Sequence, residues 1–198
     1  MDSSTSSSNK TARIIAYQSS WPAEFKQLGL HLREGLGNLA LRIDHIGSTS
    51  VPGLAAKDVI DIQVSVAGLT EALLHKMTQL GYIWAEEIHS DHHPPLFVGD
   101  AIQWEKWYFR PPAGQRPTHL HVRVYGRLNQ RYPLLFRDYL RLHPATAQAY
   151  AEFKRRLAEN LPDRVIYTEV KDPAVDLIYL AAEEWAAINH WSPSESDA

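Results

Sequence analysis

Apolar positions recur along the chain with two periods, and the switches between them mark the elements. After Trp21-Pro22, where proline suits the first turn of a helix, Phe25, Leu28, Leu32 and Leu36 fall on one helical stripe, and Gly35 and Gly37 end it. Ahead of this helix, Ile14-Ile15-Ala16-Tyr17 reads as a first strand or an extended lead-in. The period then drops to two. Residues 39–46 read as a strand running into the turn Gly47-Ser48-Thr49-Ser50-Val51-Pro52-Gly53, which is too polar for core. Residues 59–66 alternate cleanly: Ile60, Ile62, Val64 and Val66 form the core face, and Val59, Asp61, Gln63 and Ser65 share the other. Helical spacing returns at Leu69, Leu73, Met77 and Leu80 and stops at Gly81.

Residues 102–109 and 119–125 read as two strands of a hairpin joined by the segment PPAGQRP, and His89-Ser90-Asp91-His92-His93-Pro94-Pro95 reads as loop. Helices follow over 129–142 and 145–159, and Asp172-Pro173 is expected to open a last helix with Ile178, Ala181, Ala182, Trp185 and Ile188 on its buried stripe. Strands first and helices bunched at the carboxyl end imply an α+β domain, a mixed sheet with flanking helices and a helical carboxyl-terminal part. That domain is expected over residues 11–190. The Ser-rich residues 1–10 and the segment 191–198 are expected as flexible tails.

Composition narrows the function classes. The chain of 198 residues has 44% hydrophobic and 22% charged residues, an ordinary globular balance. A net charge of −3 disfavours a general nucleic-acid-coating role. The sequence has no run long and apolar enough to span a membrane. With no cysteine, disulfides, thiolate zinc sites and a cysteine nucleophile are all excluded, which fits a cytoplasmic protein. The H-E-x-x-H zinc motif, the G-x-S-x-G elbow and a full P-loop are absent.

The strongest chemical signal is Gly47-Ser48 with Asp61 on the next strand. A Gly-Ser turn exposes backbone N–H groups and a hydroxyl to phosphate oxygens. A carboxylate beside it suits a divalent cation that bridges those phosphates. Thr49 lies in the same turn, and Lys57 is near enough in sequence to neutralise phosphate charge.

These residues carry a resemblance. The run DHIGSTSVPGLAAKDVIDIQV, residues 44–64, closely resembles the GrpB family. Tyr17 with Trp21-Pro22, the strand His119-Leu120-His121-Val122, and Phe136-Arg137-Asp138-Tyr139-Leu140-Arg141 with Pro144 resemble further parts of it, in the right order. The resemblance implies a nucleotidyltransferase-like fold of the polymerase-beta type. It also implies a nucleoside triphosphate as substrate, a divalent metal (Mg or Mn, with Zn suited to imidazole), and a small-molecule or protein acceptor. Nucleotidyltransferases of this type place an Asp-x-Asp/Glu pair after the Gly-Ser turn and a third carboxylate on a later strand. This chain departs from the pattern: Gln63 stands at the second carboxylate, and His119-x-His121 stands on the later strand. Gln supplies a neutral oxygen only, so a hard cation gains little from it.

Residues i and i+2 of a strand share a face. If the strands neighbour one another, His119 and His121 face Asp61 and Gln63. Asp61, His119 and His121 are therefore the candidate catalytic and metal-ligating set. Gly47, Ser48, Thr49, Lys57, Gln63 and Arg110 are candidates for holding the nucleotide. The alternatives are a non-catalytic nucleotide- or phosphometabolite-binding or accessory module on the same fold, and a His/Asp metal enzyme of different chemistry. His45, the His89–His93 loop, and Trp104, Trp107 and Tyr108 as stacking platforms are weaker candidates. Arg137, Arg141, Lys154, Arg155 and Arg156 read as a solvated helical face.

Overall fold

The computed structural model describes residues 13–198 other than 96, 98 and 162, so the tail expected over residues 1–10 lies outside the described residues. Five strands, β1 (Ala40–Ile46), β2 (Ile60–Val66), β3 (Ile83–Trp84), β4 (Lys106–Arg110) and β5 (Thr118–Val124), form one mixed sheet in the order β1-β2-β5-β4-β3. The β2–β5 pair is parallel; the other neighbours are antiparallel. The fold is α+β, as the element order implies.

The alternation of β2 separates the two faces. Ile60, Ile62, Val64 and Val66 pack against α1 (Trp21–Leu36) and α2 (Glu71–Gln79), whose Trp21, Phe25, Leu32, Leu36, Leu73 and Met77 are buried with them. Thr70 caps α2 by accepting the Leu73 N–H at 3.3 Å. Opposite this core lie α3 (Leu128–Leu142), α4 (Pro144–Asn160) and α5 (Arg164–Asn189). They bury Leu135, Leu140, Ala151, Tyr179, Ala182 and Ala186 together with Val51, Leu54 and Ala55, the residues just after the Gly-Ser turn. The helical part therefore closes over that turn and over the polar face of the sheet.

Two boundaries and one burial assignment depart from the sequence reading. The strand expected from 102 begins only at Lys106, because Ala101–Trp104 forms a 3-10 turn in which the Asp100 carboxylate accepts the Ile102 N–H. The last helix does not open at Asp172-Pro173. It starts at Arg164, where the Asp163 carboxylate accepts the Ile166 N–H at 3.2 Å, and it runs through Pro173. The proline forfeits one helical N–H, which burial of Tyr167, Tyr179, Ala182 and Ala186 offsets. Ile188, expected on the buried stripe, is exposed.

The segment 191–198, expected as a flexible tail, is docked. β1 is an edge strand, and its outward backbone groups need partners. Ala198 N–H donates to Ile43 O at 3.1 Å, Ile43 N–H to Ser196 Oγ at 2.8 Å, and His45 N–H to Asp197 Oδ2 at 2.9 Å. Arg137 Nη1 donates to the same Asp197 carboxylate at 2.8 Å.

Candidate functional site

The parallel register of β2 and β5 sets Asp61 against His119, Gln63 against His121, and Ser65 against Arg123. With a period of two, all six side chains share the face beneath α3–α5. A cleft of about 470 Å³ opens over this stripe, lined by Gly47, Ser48, Lys57, Asp61, His119 and Lys154 among others.

At its open end, the Asp61 carboxylate accepts His119 Nδ1–H at 2.9 Å, which leaves Nε2 as the ring nitrogen available to the cleft. Gly47 holds φ +69°, and a Cβ built there would collide with the Asp61 carboxylate. Glycine is thus required twice, for the left-handed backbone and for the close approach of the turn to Asp61. The turn continues into a 3-10 segment, Ser48–Ser50, where Ser50 Oγ–H returns to Gly47 O at 2.6 Å.

Lys154 of α4 completes this end. Its Nζ donates to Ser48 Oγ at 2.8 Å and to Ala55 O at 2.7 Å, and it lies 4.6 Å from the Tyr150 ring centroid. The residue is only 3% exposed, and no described carboxylate forms an ion pair with it. Burial lowers its pKa to about 7, with the cations Lys171, Arg155 and Lys57 adding to the effect and Asp61 opposing it. A buried cation held only by neutral oxygens and a ring face is incompletely compensated. Lys57 also faces the cleft, its Nζ 4.0 Å over the Tyr167 ring.

The inner end of the stripe is built differently. Asp91, from the His-rich loop, accepts Arg123 Nε at 2.7 Å and Nη2 at 2.8 Å, Lys106 Nζ at 2.7 Å and Asn129 Nδ2 at 3.1 Å. Burial alone would raise its pKa; the Arg123 and Lys106 charges reverse this and hold it far below the usual carboxylate range. Gln63 is fully buried, its Oε1 accepting Arg123 Nη1 at 2.8 Å and its Nε2 donating to Gln130 O at 3.0 Å. His121 lies deep in the cleft floor while keeping some surface on the cleft. Burial and the neighbouring Arg123 and Lys106 charges push its pKa well down, and its Nδ1 accepts Arg123 Nη2 at 3.3 Å.

The structure thus brings Gly47, Ser48, Lys57, Asp61, His119 and His121 to one cleft. Others among the expected residues fall elsewhere or are already engaged. Gln63 spends both ends of its amide inside the protein. Thr49 lines the cleft, but its hydroxyl bonds His45 Nε2 at 3.0 Å. Arg110 is exposed at the end of β4, paired with Glu87 at 2.7 Å and outside the cleft lining. Among the described residues no three His, Asp or Glu side chains form a group able to hold a metal ion, so Asp61, His119 and His121 are not a preformed metal cluster.

His45 is a core histidine: it stacks on Phe25 at 4.7 Å, and burial lowers its pKa to about 4. His92 pairs with the buried Asp176 at 2.9 Å. Arg137 and Lys154, read as part of a solvated helical face, are buried; Arg155 and Arg156 do lie at the surface, both paired with Glu152. The signal that could have found Lys154 is its spacing: it follows Tyr150 by four and precedes Leu157 by three, on the buried stripe of α4. No helix among the described residues is long and apolar enough to cross a membrane.

Known proteins match over most of this architecture. A dephospho-CoA kinase of Mycolicibacterium paratuberculosis is 36% identical over 197 residues, 91% of this chain and 48% of that protein. The chain therefore spans about half the length of the curated relatives it matches. The crystal structure of the conserved protein GrpB from Enterococcus faecalis superposes with a TM-score of 0.68 at 29% identity, covering 87% of this chain and 99% of that one. A looser likeness, to Cid1 in complex with its short product ApU, has a TM-score of 0.46 at 13% identity, over 71% of this chain and 42% of that one. The GrpB protein profile matches residues 11–180, and the chain belongs to the GrpB family.

Proposed function

We propose that the cleft binds a nucleoside triphosphate and that the protein transfers its nucleotidyl group to a small-molecule or protein acceptor. One observation carries this reading: the Lys154 ammonium, buried and without a carboxylate, is fixed on the hydroxyl of the Gly-Ser turn beside Asp61. Such a group takes its missing countercharge from an anionic ligand. The turn supplies N–H and O–H donors in the same place, so phosphate oxygens answer both needs.

The residues present do not fit a resident two-metal centre. Among the described residues Asp61 is the carboxylate that meets the turn, with one oxygen already bonded to His119, while Asp91 is engaged by Lys106 and Arg123 and Gln63 is withdrawn into the fold. A divalent ion in this reading enters with the triphosphate, whose charge it neutralises, and is held by the Asp61 carboxylate oxygen that is not bonded to His119. Ser48, Lys154 and Lys57 hold the phosphates. The Asp61–His119 pair presents Nε2 to the reacting end of the nucleotide and can accept the acceptor's proton there.

Titration calorimetry with ATP tests this. Binding is expected with Mg²⁺ or Mn²⁺ present, and it should fail in Asp61→Asn. Binding that is equal with a chelator in excess would overturn the metal-dependent reading. The withdrawn Gln63 favours a second reading, a nucleotide-binding or accessory module without turnover on the same cleft. Pyrophosphate release from bound ATP in the presence of acceptor pools would exclude it, and binding with no release under any condition would favour it.

A further inference from the structure

The helix α5 is apolar on two opposite sides. One side carries Tyr179, Ala182 and Ala186 into the core. On the other, Ile166, Val170, Pro173, Leu177, Ala181 and Ile188 face solvent, with Leu177 72% and Ile188 78% exposed. At about 100° per residue, these six positions fall in a sector about 80° wide. A surface helix ordinarily buries one apolar stripe and turns a polar face to water. A second stripe left in water marks an interaction surface. Among the described residues, nothing covers this one.

The spacing of the stripe points to its occupant. Ile166, Val170, Pro173 and Leu177 follow at intervals of 4, 3 and 4 residues, and Leu177, Ala181, Glu184 and Ile188 repeat those intervals. Eleven residues are close to three helical turns, so the stripe runs nearly parallel to the helix axis. The pattern also reads the same from either end, with Leu177 at its centre. A two-fold interface requires such self-complementarity, because residue i then meets j and j meets i. Two α5 helices laid antiparallel about Leu177 set Leu177 on Leu177, Pro173 on Ala181 and Ile166 on Ile188. Glu184, the one charged position of the stripe, meets Val170; its stem packs there while the carboxylate reaches the rim. An anionic surface is a poor occupant by comparison. Between Ile166 and Ile188 the only lysine or arginine is Lys171, which lines the cleft on the other side of the helix.

We propose that two copies of the chain pair through this face of α5, antiparallel about Leu177. The pairing does not depend on the nucleotide reading and leaves the cleft free, since Tyr167, Lys171 and Val175 line it from the opposite side of the helix. The 26 residues of α5 span about 39 Å. A strip of that length and one helix diameter across, about 10 Å, falls short of the roughly 800 Å² per partner of a standard interface. The dimer is accordingly weak, with a Kd on the order of 10–100 µM.

Sedimentation equilibrium of the whole chain, from about 1 µM to about 1 mM, tests this. Wild type is expected to pass from monomer to dimer across that range. Leu177→Glu sets two carboxylates against each other at the axis and should weaken dimerisation at least about tenfold. Val170→Lys separates this pairing from other apolar contacts. It sets an ammonium against Glu184 of the second copy, so dimerisation should hold or tighten, and adding Glu184→Lys should abolish it. All three side chains are exposed, and melting curves should show every variant as stable as wild type. A wild type that stays monomeric up to the highest concentration would overturn the proposal. So would a Val170→Lys variant weakened as much as Leu177→Glu, because the apolar face would then meet something other than its antiparallel copy.

Discussion

The polar stripe along β2 and β5 has two ends made of similar residue types in one register, and they are wired differently. At the inner end, Asp91, Lys106, Arg123 and Gln63 satisfy one another in a closed network. At the outer end, Asp61 and His119 bond each other and keep one side on the cleft, while Lys154 has only neutral hydrogen-bond partners among the described residues. Two groups equally polar in sequence therefore serve different ends. Mutual charge pairing holds the fold at the inner end, and a buried charge without a countercharge marks where a ligand belongs at the outer one.

Cutting each end separately should show the contrast most strongly. Asp91→Ala strands two cations, Lys106 and Arg123, which are 7% and 5% exposed. Breaking a buried pair in this way costs about 3–5 kcal/mol, on the order of 10 °C in Tm for a chain of this size. Asp61→Asn removes a partly exposed partner of His119, for which about 1 kcal/mol or less is expected. Thermal melting of both variants checks this, and equal losses would erase the distinction between the ends.

The next largest effect should come from Lys154→Met. Loss of a charge-assisted bond to phosphate weakens triphosphate binding by roughly 10- to 100-fold. The same change removes an uncompensated buried ammonium, so stability should hold or rise. Reduced stability with unchanged affinity would make Lys154 a structural residue and move the outer end into the same class as the inner one.

Much of this contrast could be read from the chain, but not its wiring. The alternation at residues 59–66 placed Asp61 and Gln63 on one face, and the i, i+2 spacing of His119 and His121 placed both imidazoles together. Only the β2–β5 pairing, a long-range fact, made the two faces meet. Asp91 left no local signal, because a loop residue becomes buried only when distant cations close on it. Gln63 looked like a weakened metal ligand, and its withdrawal depends on Arg123 and on the Gln130 carbonyl of α3. Lys154 was legible in principle: charge is informative when it falls on an apolar helical stripe, since an isolated cation there needs a partner from outside the helix. The docking of residues 191–198 followed from the open edge of β1 rather than from their own polar composition.

The smallest expected effect is a pH dependence that the inner end should not share. Burial takes Lys154 from the ordinary lysine value of 10.5 down to about 7. The unfolded chain then binds this proton more readily than the folded one between those values, so the residue's contribution to stability grows as pH rises through that window. Anion binding runs the other way. The ammonium that attracts phosphate is present below about pH 7 and is lost above it, and a bound anion moves the loss upward by stabilising the charge. Tripolyphosphate titrated into wild type and Lys154→Arg at pH 6, 7, 8 and 9 isolates this residue, because arginine stays charged throughout and the ligand's own ionisation is common to both. The wild-type Kd relative to that of the variant should rise by up to about tenfold across the series, roughly the 1.4 kcal/mol of one decade. Parallel profiles would mean that the Lys154 ammonium keeps its proton over the whole range, and the outer end would then be as fully compensated as the Asp91 network.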